Sequence, residues 1–407
     1  MTNYIILAFC VIIILSYLFD ISSKYSKIPG VILLIALGIL IHILADRTGY
    51  KIPNLKPILP VIGTIGLILI VMEASLDLKL EKSKKKLIKK SVSSALILLV
   101  FFVIAFSYCL VQFFDFTLRD SLLNAIPLGI ISSSIAIPSA AHLNPEDKEF
   151  IVYESSFSDI FGIILFDYIL LNQTSIGLGI LYFAIDGIVT LIIAVISTSI
   201  LAILLHKITY HVNYVMIMTA VILIYVLAKL SHLPALLLVL IFGMVLINNQ
   251  FLEIDFIKKY VDFGKFRNDI SSFKRILGEL TFIVRSFFFI MFGYYTNIYS
   301  LINLNNIIIG LAITLSIFLM RWLFFAQVLR LPARPLVFFA PRGLITILLF
   351  LSIPVASRIP LISEEVITLV IIMTIIILTW GNMMKRNASS EINIIQQSES
   401  QDPLVTK

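Results

Sequence analysis

Residues 151–171 read IVYESSFSDIFGIILFDYILL, an apolar run long enough to cross a bilayer as one helix, with Glu154 and Asp159 set inside it. A charged side chain at the bilayer centre costs about 2.5–3.5 kcal/mol, so such residues pair with a counter-charge or line an ion path. In a helix Ser155 and Asp159 stand one turn apart on one face. Glu154 and Ser158 share a second face about 100° away. The first face offers oxygens to a hard, partly dehydrated cation; the second suits a structural counter-charge. The competing reading is that both acids sit in a solvated vestibule or in static ion pairs.

Working outward, the 407 residues are 59% hydrophobic, and runs of membrane-spanning length recur along the whole chain. This predicts an all-α polytopic membrane protein. We divide it into 13 spans at 4–19, 29–45, 58–77, 91–114, 122–141, 150–171, 176–205, 212–230, 232–248, 277–297, 304–327, 335–357 and 361–383. The first run has no basic leader and no small-residue cleavage site, and reads as a retained span. With the N-terminus outside, 22 of the 31 Lys and Arg fall in cytoplasmic segments and 6 in external ones. That asymmetry follows the positive-inside rule and places the C-terminus in the cytoplasm. Residues 1–385 thus form the membrane domain, with core helices expected at about 122–171 and 277–357; 386–407 read as a short disordered tail.

The net charge of +7 is carried between spans, which excludes nucleic acid as a partner. The Lys-rich run 79–90 reads as an anchor to anionic headgroups, and residues 250–276 as a cytoplasmic surface helix and loop. Cys10 and Cys109 lie in spans without close spacing, so neither a disulfide framework nor a cysteine metal site is expected. His42, His142, His206, His211 and His232 fall near loops or interfaces, and no His-Glu-x-x-His or Ser-His-acid arrangement is present. An enzyme is not expected, nor a cofactor.

Two spans are interrupted. Residues 121–142, SLLNAIPLGIISSSIAIPSAAH, carry Pro127, Gly129, the Ser132–Ser134 run and Pro138. Residues 335–354, PLVFFAPRGLITILLFLSIP, carry Pro341, Arg342 and Gly343. Broken membrane helices free backbone groups and are tolerated where those groups face a cavity or a site. The two lie seven spans apart and therefore run in opposite directions, as an inverted-repeat transporter with crossing broken helices requires. Arg342 at the second break is the preferred partner for Glu154, with Arg285 second. Arg321, near the end of its span, is left to snorkel to the interface. Glu73 is a further acid at a span end, either a ligand or a headgroup-level residue beside Asp77; Asp167 and Asp186 are weaker candidates near the outer interface.

These motifs resemble the monovalent cation:proton antiporter superfamily, the sodium/proton exchangers. Residues 154–162, ESSFSDIFG, are similar to its Glu-Ser-x-x-Asn-Asp motif; VMEASLDL at 71–78 resembles its Phe-Glu-Gly stretch, Arg342-Gly343 its Arg-Gly in the second broken helix, and SFFFIMFGYYTNI at 286–298 its phenylalanine-rich span. The resemblance covers roughly residues 5–383. It implies a homodimer working by alternating access, with Asp159 taking a cation or a proton but not both. It further implies Ser155 and Asp159 as cation ligands, Ser134 near the helix crossing, Glu73 as a further ligand, and Glu154 paired with Arg342.

Two departures stand out: Ser158 replaces the usual Asn or Asp, and Ser134-Ile135-Ala136 stands where Thr-Asp-Pro is common, closer to the Ser-Ser-Thr of the potassium-efflux branch. The expected activity is exchange of Na⁺ or Li⁺, or else K⁺, for H⁺ at an inner membrane. The alternatives are a K⁺/H⁺ antiporter or efflux component of the same fold and, from another class, an ion-coupled solute symporter or channel.

Overall fold

The computed structural model describes residues 2–26, 29–48, 59–78, 84–140, 143–171, 185, 187–197, 200, 213–231, 233–248, 263–329 and 335–400. Asp186, His142, His206, His211, His232, the Lys79–Ser83 part of the basic run, residues 250–262 of the expected surface helix and most of span 176–205 lie outside them, as do residues 401–407.

Among the described residues the chain is helical, without strands. The helices are α1 (Thr2–Ser26), α2 (Gly30–Thr48), α3 (Leu59–Asp77), α4 (Lys85–Phe114), α5 (Leu118–Gly129), α6 (Ser133–Ser139) and α7 (Pro145–Leu171). They continue with α8 (Gly187–Ser197), α9 (Asn213–Leu230), α10 (Ala235–Ile247), α11 (Phe263–Tyr295), α12 (Leu304–Leu323), α13 (Leu344–Ser352) and α14 (Glu364–Ser400). Each expected span meets a helix or a pair of half-helices, the seventh only through α8. Among the described residues, six segments are long and apolar enough to cross a membrane by themselves, one of them the broken pair α5–α6. The chain is a multi-pass membrane protein.

The helices pack in two groups. In one, α2 lies along α11, α3 packs on α10 and α11, α10 on α9, and α1 on α2 and α11. In the other, α4, α5, α6 and α7 pack together, and α12, α13 and α14 join them. The groups meet where α3 and α10 touch α7 and α13. In this packing residues 277–297 lie with the α2 group, whereas α4 and α14 lie with the group around α7. The reason lies in small residues that a hydropathy reading does not weigh.

Glycines let α2 and α11 approach backbone to backbone. A Cβ on Gly38 would meet the Ile290 carbonyl oxygen, and one on Gly293 the Ile35 carbonyl oxygen. Without a hydrophobic drive between helices in lipid, such close contacts are what hold a pair together. Gly243 of α10 receives the Ser75 hydroxyl of α3 in the same way.

Both interrupted spans are broken helices, and they cross. After α5 the chain is extended through Ile130, Ile131 and Ser132 before α6 begins; between the short 3₁₀ turn Leu336–Phe338 and α13, residues 339–343 are likewise non-helical. The Ser132 amide donates to the Pro341 carbonyl at 2.9 Å, joining the two breaks directly. Gly343 makes the contact possible, because a Cβ there would come 2.5 Å from the Ser132 hydroxyl and 2.8 Å from Ile135. A further clamp is Asn124 of α5: its amide donates to the Asp120 and Ser357 carbonyls at 2.8 Å, and its oxygen accepts from the Ile359 amide at 3.3 Å.

Gly293→Ala is expected to lower stability by about 1–3 kcal/mol through overpacking against Ile35. Gly187→Ala, whose added Cβ meets nothing within 4 Å, is expected to lose nothing and to gain up to about 1 kcal/mol in helix propensity. Thermal unfolding of both variants in detergent checks the pair.

Candidate functional site

The site forms where α7 passes the crossing of the broken helices. Over about 27 residues α7 is roughly 40 Å long, and Asp159 lies near its middle, about 21 Å from Pro145. Gly162, one turn further, has no side chain, and the Ile130 side chain fills the space that a Cβ would occupy. That close fit draws the first break onto α7. Asp159 is 2% exposed. Its Oδ2 accepts from the Ser133 amide at 3.3 Å, at the start of α6, whereas its Oδ1 is buried with no hydrogen-bond partner among the described residues.

The neighbouring serines divide their tasks. The Ser158 hydroxyl oxygen accepts from the Ile131 amide at 2.9 Å, satisfying a donor that the break sets free. Ser155, on the Asp159 face, donates to the Ile151 carbonyl at 2.7 Å and keeps lone pairs for a further contact. Ser132 and Ser134 share a hydrogen bond of 3.0 Å. Ser156 is buried and its hydroxyl has no partner among the described residues; nothing in the sequence distinguishes it from its neighbours.

The expected pairing of Glu154 with Arg342 is not the one formed. Glu154 is held by Arg321: Nη1 donates to Oε1 at 3.0 Å and Nη2 to Oε2 at 2.6 Å. The same carboxylate accepts from the Ser94 hydroxyl of α4 at 2.5 Å. Arg321 further donates to the Leu336 carbonyl from Nε and Nη2, at 3.1 and 2.9 Å, and its guanidinium lies 4.8 Å from the centre of the Phe325 ring. Arg321 does not snorkel. Beyond α12 the chain continues in π-helical turns over Phe324–Leu329, so Arg321 remains inside the bundle, 2% exposed.

Arg342 is occupied elsewhere for a physical reason. The C-terminal end of α5 carries unpaired carbonyls and the negative end of its dipole. Arg342 covers it, Nε donating to Leu128 O at 2.7 Å and Nη2 to Gly129 O at 3.3 Å, while Nη1 reaches Ala340 O at 2.9 Å. The Arg342 amide donates to the Thr374 hydroxyl of α14 at 3.1 Å. A break in a helix thus consumes a cation that position alone had assigned to Glu154. Ser158 also leaves the predicted structural pair, since it serves the Ile131 amide.

Glu73 of α3 lies apart from this centre. Thr281, Arg285, Asp77 and Lys274 stand in its surroundings, the Thr281 hydroxyl donating to the Leu277 carbonyl of its own helix at 2.8 Å. Asp77 and Lys274 form an ion pair of 2.6 Å there. Asp167 of α7 has Lys229 of α9 nearby. Among the described residues no group of three or more His, Cys, Asp or Glu side chains forms a metal cluster.

The centre of the molecule is thus a carboxylate buried at a crossing of broken helices, beside a second acid neutralised by arginine. The family profile described as "Sodium/hydrogen exchanger, transmembrane" matches residues 8–385. The chain belongs to the sodium/hydrogen exchanger family. Among solved structures, the fold is similar to that of the sodium proton antiporter MjNhaP1 from Methanocaldococcus jannaschii at pH 8, with TM-score 0.70 and 18% identity over 94% of this chain and 98% of that one. The same antiporter's 3D EM map gives TM-score 0.67 and 18% identity, covering 99% of this chain and 100% of that one. No curated protein sequence matches. Membership of this exchanger family makes the chain a transporter of the cation/proton antiport class, and at 18% identity the structural likeness adds the fold.

Removing one member of a buried ion pair strands the other, at about 3–5 kcal/mol. Arg321→Ala and Glu154→Ala are therefore each expected to destabilise by that order, and together by less than the sum of the two. A double-mutant cycle read by thermal unfolding in detergent measures the coupling. The same cycle on Glu154 and Arg342 should give little.

Proposed function

We propose that the chain exchanges a monovalent cation, Na⁺ or Li⁺ ahead of K⁺, for H⁺ by alternating access, with cation and proton competing for Asp159. The observation that carries this reading is the asymmetry of the two buried acids. Glu154 is saturated by Arg321 and Ser94. Asp159 retains an oxygen with no hydrogen-bond partner among the described residues. Only one carboxylate is therefore free to change its load.

The geometry supports a one-for-one stoichiometry. When Asp159 is ionised, the charges of Glu154, Asp159, Arg321 and Arg342 sum to zero; a bound proton or a bound monovalent cation raises the sum by the same unit. Each conformational turnover then carries one species or the other at equal charge, and exchange is electroneutral. The cation would take oxygens from Asp159 and Ser155, with Ser134 near the crossing. Glu73, about one and a half turns of helix from the centre of its own span, would guide cations toward the site rather than ligate them there.

The helix directions and the distribution of Lys and Arg support an orientation with the N-terminus outside and the C-terminus in the cytoplasm. The exposed apolar surfaces of the α1–α3, α9–α11 group face lipid or a second copy of the chain in a homodimer. A K⁺/H⁺ antiporter of the same fold differs from this reading in the ion alone. An ion-coupled solute symporter would need a polar cavity at Asp159 large enough for a solute.

Reconstitution into proteoliposomes with a trapped pH dye tests the proposal, with Na⁺, Li⁺ and K⁺ added in turn. A cation-driven pH change that Asp159→Asn abolishes is expected, independent of imposed membrane potential, with an apparent KM for the cation that rises as the pH falls. No response to any cation by correctly inserted protein would sink the reading and favour solute symport.

A further inference from the structure

Outside the ion site, a pair of polar cavities lies at the end of the bundle where α3 and α6 end and α7 and α11 begin. The outer one, about 490 Å³, is lined by Glu73, Lys274, Glu279 and Tyr17 among others. The inner one, about 40 Å³, is lined by Ser16, Ser139, Ser286 and Ser134, and so reaches the serine run whose Ser133 amide holds Asp159. Three residues line both: Asp20 of α1 and Phe282 and Arg285 of α11. They form the partition between vestibule and chamber.

Arg285 is an unusual residue to find there. A guanidinium in a membrane-spanning helix is costly and normally closes on a carboxylate. Arg285 instead rests over the Phe282 ring, 6.0 Å from its centre, and among the described residues no carboxylate stands within ion-pairing distance of it. Asp20 lines the same partition, and Glu73 lies within Coulomb reach. A fixed positive charge is thus held on a polar route from this end toward Ser134, although the proposed cargo is itself positive.

We propose that Arg285 is the charge filter of this access path: its guanidinium in the partition opposes a monovalent cation moving toward Ser134, and Asp20 on α1 offsets that opposition. This inference rests on the cation-exchange reading of the preceding subsection. It assigns to Arg285 and Asp20 a control of apparent cation affinity rather than a part in ion ligation. Unit charges facing one another across a partly hydrated cavity interact strongly enough to change apparent affinity about three- to tenfold.

The test is initial-rate exchange in proteoliposomes with Na⁺ as the probe, at alkaline pH where protons compete least. Arg285→Gln is expected to lower the KM for Na⁺ about three- to tenfold with little change in maximal rate, Arg285→Lys to keep the wild-type KM, and Asp20→Asn to raise it about threefold. Inert salt should shrink all three differences, because screening acts on charge and not on packing. Wild-type exchange with an unchanged KM in Arg285→Gln would overturn the filter alone, as would an Arg285→Lys that behaves like Arg285→Gln. Absence of exchange by the wild type would overturn the transport reading and this inference with it. Should Arg285→Gln fail to insert, Asp20→Asn decides by itself, and an unchanged KM there counts against the filter.

Discussion

Backbone groups released inside a membrane have no water to turn to, and the two helix breaks release several at one depth. The centre of the molecule is arranged around that constraint. The Ser132 amide finds Pro341 O on the opposite break, the Ile131 amide finds Ser158, and the Leu128 and Gly129 carbonyls find Arg342. The Ser133 amide finds Asp159. A carboxylate is therefore bound at the crossing by the same necessity that caps the half-helices.

The distribution of charge follows. The C-terminal end of α5 is covered by a cation and the start of α6 by an anion, each matched to the local helix dipole. The second buried acid needs its own cation, and Arg321 supplies it from a helix that π-helical turns extend within the bundle. Two acids and two arginines then coexist in one buried region with different duties, one pair closed on itself and the other spread across a break.

Packing separates this centre from its surroundings. Glycine contacts bind α2 to α11 and α3 to α10, while α4 to α7 and α12 to α14 gather around the crossing. The candidate site around Asp159 belongs wholly to the second group; the vestibule draws Asp20, Glu73 and Arg285 from the first. A transporter in which the site moves with one group against the other would thereby change its access route without rebuilding its ligands.

The sequence by itself determined the helical membrane architecture, the two interrupted spans and the acids of α7, because hydropathy, proline and glycine act locally and an acid in an apolar run is conspicuous wherever it folds. It also placed Asp159 and Ser158 on different helix faces, which the structure keeps. What it left to the tertiary structure was the choice of partner. Arg342 and Arg321 are both arginines in membrane spans, and the preference for one over the other as the mate of Glu154 depends on the depth that α12 reaches and on the carbonyls that the α5 break exposes. Ser94, Asn124 and Thr374 join the site region without any motif, since a single polar residue in an apolar helix acquires a role only when a neighbouring helix brings it an unpaired group. Likewise, the assignment of α11 to the α2 group rested on Gly38 and Gly293 facing each other, a coincidence of two distant positions that only the folded chain creates.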